Sequence, residues 1–171
     1  MKCYVRAITV IGSLVISSAA FAKSETFKLE ISGPGLAQPL DITEPEILNR
    51  FSIWGSPGID WLRGNVSGPL QVKSYTVTFH QRGREPMHEW HRRYVITYGV
   101  DAATGEGYVY LPGPDDGDVY KRNTFSIFRD VEGNWFHASK EWEKSVRPLI
   151  EHASNRANEL AHVKTSSRTS R

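Results

Sequence analysis

The sequence predicts an α+β domain: a mostly antiparallel sheet of about five to seven strands, a short N-terminal helix, and a C-terminal helix packed on one face. Three observations lead to this prediction. Residues 26–31 alternate apolar and polar side chains, and residues 71–100 do so twice, around a polar bend. Apolar residues then recur at helical spacing between Trp142 and Ala153. Alternation indicates half-buried strands, and helical spacing indicates an amphipathic helix that covers them.

Residues 1–22 have the pattern of a secretory signal peptide. Lys2 and Arg6 give a positive start, residues 7–16 are mainly apolar, and residues 20–22 (Ala-Phe-Ala) place small side chains where a signal peptidase cuts. The apolar run is too short to span a bilayer of about 30 Å. We therefore expect cleavage after residue 22, export to the periplasm or the secreted space, and no stable membrane insertion afterwards.

Charge and cysteine content exclude several classes of protein. The full chain has 21 Lys and Arg against 19 Asp and Glu, and residues 1–22 hold two of the cations and no acid, so the exported chain is neutral. Neutrality argues against a nucleic-acid binder. The one cysteine, Cys3, lies in the signal peptide, which leaves the exported chain without a disulfide or a cysteine metal ligand. Glycine-rich phosphate loops are absent, and no cofactor is predicted.

The first elements follow from alternation and turn residues. Residues 26–31 predict a strand. Its apolar face carries Phe27, Leu29 and Ile31. A Gly-Pro-Gly turn at residues 33–35 then leads into residues 36–42, which predict a short edge strand. Thr43 and Glu46 have the spacing of a capping box, which predicts that the N-terminal helix begins there.

The central hairpin, residues 71–100, follows a glycine-rich loop at residues 52–69. Alternation places His80 and His91 on its polar face, opposite or diagonal to each other, and leaves the other face aromatic. Further strands are predicted at residues 108–111, 124–129 and 134–137. An aspartate-rich turn at residues 112–118 separates the first two of these strands.

Ser139 is the expected N-cap of the C-terminal helix. The apolar stripe of that helix comprises Trp142, Val146, Leu149, Ile150 and Ala153. Pro148 predicts either a kink or a restart of the helix at that point. We assign residues 23–160 to one α+β domain and the basic, Ser/Thr-rich residues 161–171 to a disordered tail.

Three motifs resemble a group of small exported bacterial proteins of unassigned function. They are Gly33-Pro34-Gly35-Leu36, Tyr110-Leu111-Pro112-Gly113, and the helical segment from Trp142 to Arg147-Pro148-Leu149-Ile150. These are turn and packing residues, and the resemblance covers most of the exported chain. It implies a bacterial origin and a similar fold, but neither an activity nor any functional residue.

The polar face of the central hairpin is the first candidate site. His80 and His91 come from adjacent strands, and His88 or Glu89 would add a third metal ligand from the bend. Zinc needs three or four converging ligands, and this spacing is not the helical His-Glu-x-x-His signature. The competing interpretation, a solvated face with ordinary strand histidines, is the one we favour, so no metal is predicted.

Two further groups of residues are candidates for ligand binding, a set of arginines near the histidines and two tryptophans. The arginines are Arg82, Arg84, Arg92 and Arg93. Arginine offers paired donors to a carboxylate, a phosphate or an acidic sugar, although charged hairpin tips are usually solvated. Trp54 and Trp61 lie in the glycine-rich loop, where exposed rings suit sugars or an extended peptide and buried rings would cover the end of the core.

Together these patterns predict an exported, soluble binding or interaction module of the bacterial envelope or the secreted space, with no reaction identified. Its expected partner is an anionic small molecule, a glycan or an envelope protein. The alternative is a small hydrolase or metal-binding protein with its site on the His80/His91 face. A structural subunit held by pairing of sheet edges is a third hypothesis. A cleft where both histidines meet a carboxylate would favour the enzyme.

Overall fold

Seven strands form one antiparallel sheet in the computed structural model, which describes residues 25–68, 71–83, 91–123, 128 and 130–168, with the backbone alone from residue 160 onward. The strands are β1 Glu25–Ser32, β2 Leu40–Ile42, β3 Asn65–Val66, β4 Val72–Arg82, β5 His91–Asp101, β6 Gly107–Leu111 and β7 Asn134–His137. Their order across the sheet is β2-β1-β4-β5-β6-β7-β3. The predicted mixed class and antiparallel sheet are confirmed.

Four α-helices accompany the sheet in the described part of the chain. They are α1 Pro45–Leu48, α2 Asp118–Arg122, α3 Lys140–Ser145 and α4 Arg147–Arg168, and there are also 3₁₀ turns at Trp61–Arg63 and Pro114–Asp116. The short helix α2 begins at the last residue of the predicted turn, residues 112–118, and was itself not predicted, because five residues are too few to show a helical period. The strand β3 was also missed, since two residues cannot show alternation.

The N-terminal helix begins differently from the prediction. Its N-cap is Glu44, which makes no side-chain capping bond, and Pro45 occupies the first turn. The backbone N–H of Thr43 donates to the Glu44 carboxylate at 3.1 Å. The predicted capping box of Thr43 and Glu46 is therefore wrong, because the neighbouring glutamate binds the amide that Glu46 was expected to reach.

The C-terminal helix is present as two segments. Ser139 caps α3 as predicted, and its Oγ accepts the N–H of Trp142 at 3.2 Å. The chain restarts as α4 at Arg147, so Pro148 lies in a first turn, where a proline loses no hydrogen bond. The backbone of α4 remains helical to Arg168, and this includes residues 161–168, which composition assigned to a disordered tail.

The core lies between one face of the sheet and the two C-terminal helices. Trp142 and Val146 are fully buried and Ile150 is 1 % exposed, whereas Leu149 is only partly buried. The Trp142 ring centroid lies 5.1 Å from that of Phe51 and 5.7 Å from that of Tyr98. The predicted packing of the helical stripe on the aromatic face of the hairpin is therefore confirmed, with Leu149 at its margin.

Several predictions fall on residues that the structure does not describe. They concern the signal peptide, the hairpin bend at residues 84–90 and most of the strand at residues 124–129.

Both outermost strands are short, three residues in β2 and two in β3. Among the described helices, none has the length and apolar content needed to cross a membrane.

Candidate functional site

The two histidines of the central hairpin are diagonal neighbours. In the register of β4 and β5, His80 lies opposite Arg93, and Arg82 lies opposite His91. Adjacent side chains on one face of an antiparallel pair are close enough to interact along the diagonal. The register thus brings these four predicted site residues together on the face away from the core.

Phe27 packs against this histidine face. Its ring centroid is 6.1 Å from that of His80 and 5.6 Å from that of His91, with the Arg82 guanidinium 5.6 Å away. Alternation predicted that Phe27 shares the inward face with Leu29, and this is wrong. An irregularity between Thr26 and Lys28 in the pairing of β1 with β4 shifts the pattern, so Phe27 lies on the outer face.

Charged groups of β1 surround His80. Its Nε2 lies 3.3 Å from a Glu30 carboxylate oxygen, and the same carboxylate accepts from Lys28 Nζ at 2.9 Å. Burial, with the positive charges of Lys28 and Arg93, holds the pKa of His80 below its usual value, and the Glu30 carboxylate only partly opposes them. His80 is therefore a mainly neutral imidazole near pH 7.

No group of three or more His, Cys, Asp or Glu side chains with metal-binding geometry occurs among the described residues. His88, Glu89 and Arg84, which the metal and anion hypotheses also used, lie outside those residues. What the described part of this face shows is an ordered surface of two imidazoles, one phenyl ring and several ion pairs.

A cleft forms instead around Trp61, the second predicted aromatic candidate. The indole is 38 % exposed, and its ring centroid lies 5.2 Å from that of Phe128 and 5.3 Å from that of Phe136. One side of the ring is thus supported by the protein while much of it stays in water. Leu62, the next residue, is 99 % exposed.

The position of Trp61 is fixed by its turn. The Asp60 carboxylate accepts the Leu62 N–H at 3.2 Å, and the Asp60 N–H donates to the His137 carbonyl at 2.9 Å. The first bond caps the 3₁₀ turn and the second ties it to β7. The turn therefore holds Trp61 on an ordered support and does not leave it on a free loop.

The cleft beside Trp61 has a volume of about 330 Å³. Its polar lining comes from Asn65 on β3, Asn134 on β7 and Asp130 in the loop before β7. Asp130 has φ 73°, a left-handed conformation that is uncommon outside glycine and is often found at functional sites. Trp54 is 47 % exposed and is not among the described residues that line this cleft.

A second cavity of about 340 Å³ lies next to the same turn. Its charged lining comprises Arg63, Lys140, Lys144, Glu106 and Glu143. These residues were not recognised in the sequence, because they come from a turn, a strand end and a helix that only the fold brings together. The one local signal was the spacing of Lys140 and Lys144, four residues apart on one helix face.

The Glu143 carboxylate in this second cavity has several partners. It accepts the Tyr98 hydroxyl at 2.7 Å and Arg147 Nη1 at 2.8 Å. A Cβ at Gly107 would collide with Glu143 Oε1, so a larger residue there would force the carboxylate to move away from β6. Burial and the negative charge of Glu143 raise the pKa of Tyr98, which therefore stays protonated and keeps donating.

The Glu106 carboxylate is engaged in a similar way. It accepts the Tyr108 hydroxyl at 2.8 Å, and Arg63 lies 3.6 Å away. This hydrogen bond, with the positive charge of Arg63, holds the pKa of Glu106 below its usual value, so the group is ionised near neutral pH. Both acidic groups of the cavity thus already have partners within the protein.

Comparison with protein-family models, with curated proteins and with solved structures finds no match for this chain. The function is therefore argued from the Trp61 cleft, the charged cavity beside it and the histidine face.

Proposed function

We propose that this protein is an exported, soluble binding module of the bacterial envelope or the secreted space, and that it binds a glycan in the Trp61 cleft. The signal-peptide pattern of residues 1–22 supports export. The single observation that carries the ligand class is the half-exposed indole that lines a cavity together with Asn65, Asp130 and Asn134.

The chemistry of a sugar matches this cleft. A pyranose ring has an apolar face of C–H groups and a rim of hydroxyls. The flat face of an indole packs against the apolar face of the sugar. Amide side chains donate hydrogen bonds to the hydroxyls and accept them, and a carboxylate accepts them. The volume of about 330 Å³ is at the small end of the range for ligand pockets and suits one or two sugar units.

The histidine face gives less support to the hydrolase or metal-binding alternative. Phe27 packs against both imidazoles, and His80 faces a carboxylate that Lys28 already neutralises. The Trp61 cleft has a volume of about 330 Å³ and a partly exposed aromatic surface, both of which suit a sugar ring.

The proposal is tested by screening the purified exported protein on an array of neutral and acidic oligosaccharides. The best-bound oligosaccharide is then titrated by calorimetry against Trp61→Ala. We expect binding to weaken roughly tenfold or more, because the variant removes the platform on which the sugar ring stacks.

Trp54→Ala is the matched control, since it removes a second exposed indole that does not line the cleft. It should bind within about twofold of the natural protein, on the scale of a neutral surface change. An array without a bound oligosaccharide, or equal losses in the two variants, would overturn the proposal. Mass spectrometry of the incubated oligosaccharide should show it intact, and cleavage would favour the hydrolase.

A further inference from the structure

One 3₁₀ turn separates the Trp61 cleft from the second cavity. Trp61 lines the cleft and Arg63 lines the second cavity, two residues apart in a turn with a rise of about 2 Å per residue. On the facing side, Phe136 lines the cleft and Ala138 lines the second cavity, about 7 Å apart along an extended chain. Residues two positions apart on the turn and on the strand thus line the two cavities, which lie side by side.

The second cavity carries a surplus of positive charge. Lys140 and Lys144 lie one turn apart on α3, and neither ammonium makes an ion pair or hydrogen bond within the described part of the chain. Arg63, the third cation, contacts Glu106 at 3.6 Å across an exposed surface, which is a weak pairing. Three cationic side chains thus line one cavity.

The acids of the cavity do not neutralise these lysines. Glu143 is bound by Tyr98 and by Arg147, a cation that does not itself line the cavity. Glu106 is bound by Tyr108 and approached by Arg63. Arg147 thus pairs with Glu143 and Arg63 lies near Glu106, which leaves the two lysines as the cations of this cavity without a partner among the described residues. Such lysines attract an anion from solution.

We propose that this second cavity is an anion subsite next to the Trp61 cleft, and that the protein selects acidic oligosaccharides over neutral ones. This inference rests on the proposed glycan function. Trp61 stacks on one sugar, and Arg63, Lys140 and Lys144 bind the carboxylate or sulfate of the next. An arginine beside two lysines suits such a group, because the guanidinium gives directed donors and the ammoniums give mobile ones.

The test compares probes that differ in charge. Oligogalacturonate supplies carboxylates, its fully methyl-esterified form supplies the same chain without charge, and a heparin oligosaccharide supplies sulfates. Each is titrated against the natural protein and against the double variant Lys140→Gln/Lys144→Gln at about 0.05 M and about 0.5 M salt. We expect the double variant to lose on the order of tenfold in affinity for the charged probe that binds, and the loss to shrink at high salt.

Lys121→Gln/Arg122→Gln is the matched control. It removes two cations from the exposed end of α2, outside the lining of both cavities, so the change in net charge is the same. This control variant should bind like the natural protein. Equal losses in the two double variants would show that only net charge matters, and would overturn the subsite.

The remaining outcomes separate this inference from the proposed function. If the esterified chain binds as tightly as the charged one and Trp61→Ala still abolishes binding, the glycan cleft stands and the anion subsite is overturned. If a charged probe binds and needs the lysines but not Trp61, the subsite stands and the cleft is overturned. If no probe on the array or in solution binds, both are overturned.

Discussion

Phe27 changes the surroundings of His80 and His91. Alternation correctly predicted that the two imidazoles share one face of the hairpin, opposite or diagonal to each other, and the register makes them diagonal neighbours. It did not predict that Phe27 lies beside them. Phe27 reaches this face because of a bulge in the pairing of β1 with β4, and a bulge cannot be recognised from the sequence of one strand alone. The imidazoles therefore contact an aromatic ring, and His80 is desolvated.

We predict that His80 titrates below the ordinary histidine value of about 6.5, because burial and the nearby Lys28 and Arg93 disfavour its charged form. A lowered pKa means that the unfolded chain takes up the proton first. Stability is thus fully present above about pH 6.5 and is lost as the pH falls through the folded pKa. NMR titration of the imidazole and denaturant unfolding at several pH values measure the two effects.

His80→Gln should remove this pH-dependent part of the stability difference, while His152→Gln, at an exposed position on α4, should leave it in place. A His80 resonance that titrates at or above 6.5 would contradict the prediction. Repeating the titration with zinc should leave the resonance unmoved, because Nε2 faces a carboxylate that Lys28 occupies.

At the scale of elements, the C-terminal helix shows which core residues helical periodicity predicts correctly and which it does not. Helical spacing correctly selected Trp142, Val146 and Ile150 as core residues. It also selected Leu149, which the structure places at the margin of the core. The chain breaks between α3 and α4, so Leu149 belongs to the first turn of a new helix, and helical spacing alone does not show such a break.

We predict that Ile150→Ala lowers the free energy of unfolding by about 2–5 kcal/mol, because it leaves a cavity beneath the helix. Leu149→Ala should cost about 1 kcal/mol, since part of its side chain already contacts water. Urea unfolding of both variants tests the ranking. A Leu149 variant as unstable as the Ile150 variant would mean that Leu149 also faces the core, and would contradict this prediction.

The two cavities show a second limit of sequence analysis. Trp61 was recognised by its residue type, and Asn65 lies close to it in sequence, but its partners Asp130 and Asn134 lie far along the chain. They meet only because β3 pairs with β7 at the edge of the sheet, and two-residue strands give no pattern to detect. The same applies to Lys140 and Arg63, which share a cavity across a helix and a turn.

At the scale of the whole molecule, the proposed function depends on export. We predict that the mature protein begins at Lys23, from the charged start, the apolar run and the Ala-x-Ala site. Mass spectrometry of the protein recovered from periplasmic and secreted fractions measures its N-terminus. Recovery with residues 1–22 attached, or from the cytoplasm alone, would contradict both the prediction and the proposed location.

The short outer strands β2 and β3 also determine how copies of this protein meet at high concentration. Three and two residues offer too little unpaired backbone for a neighbouring chain to extend the sheet. The part of β1 beyond β2 carries a bulge with Glu25 and Lys28, which further hinders such extension. The long strands β4 and β5 lie inside the sheet, so in the described part of the chain its two edges offer little backbone on which a fibril could grow.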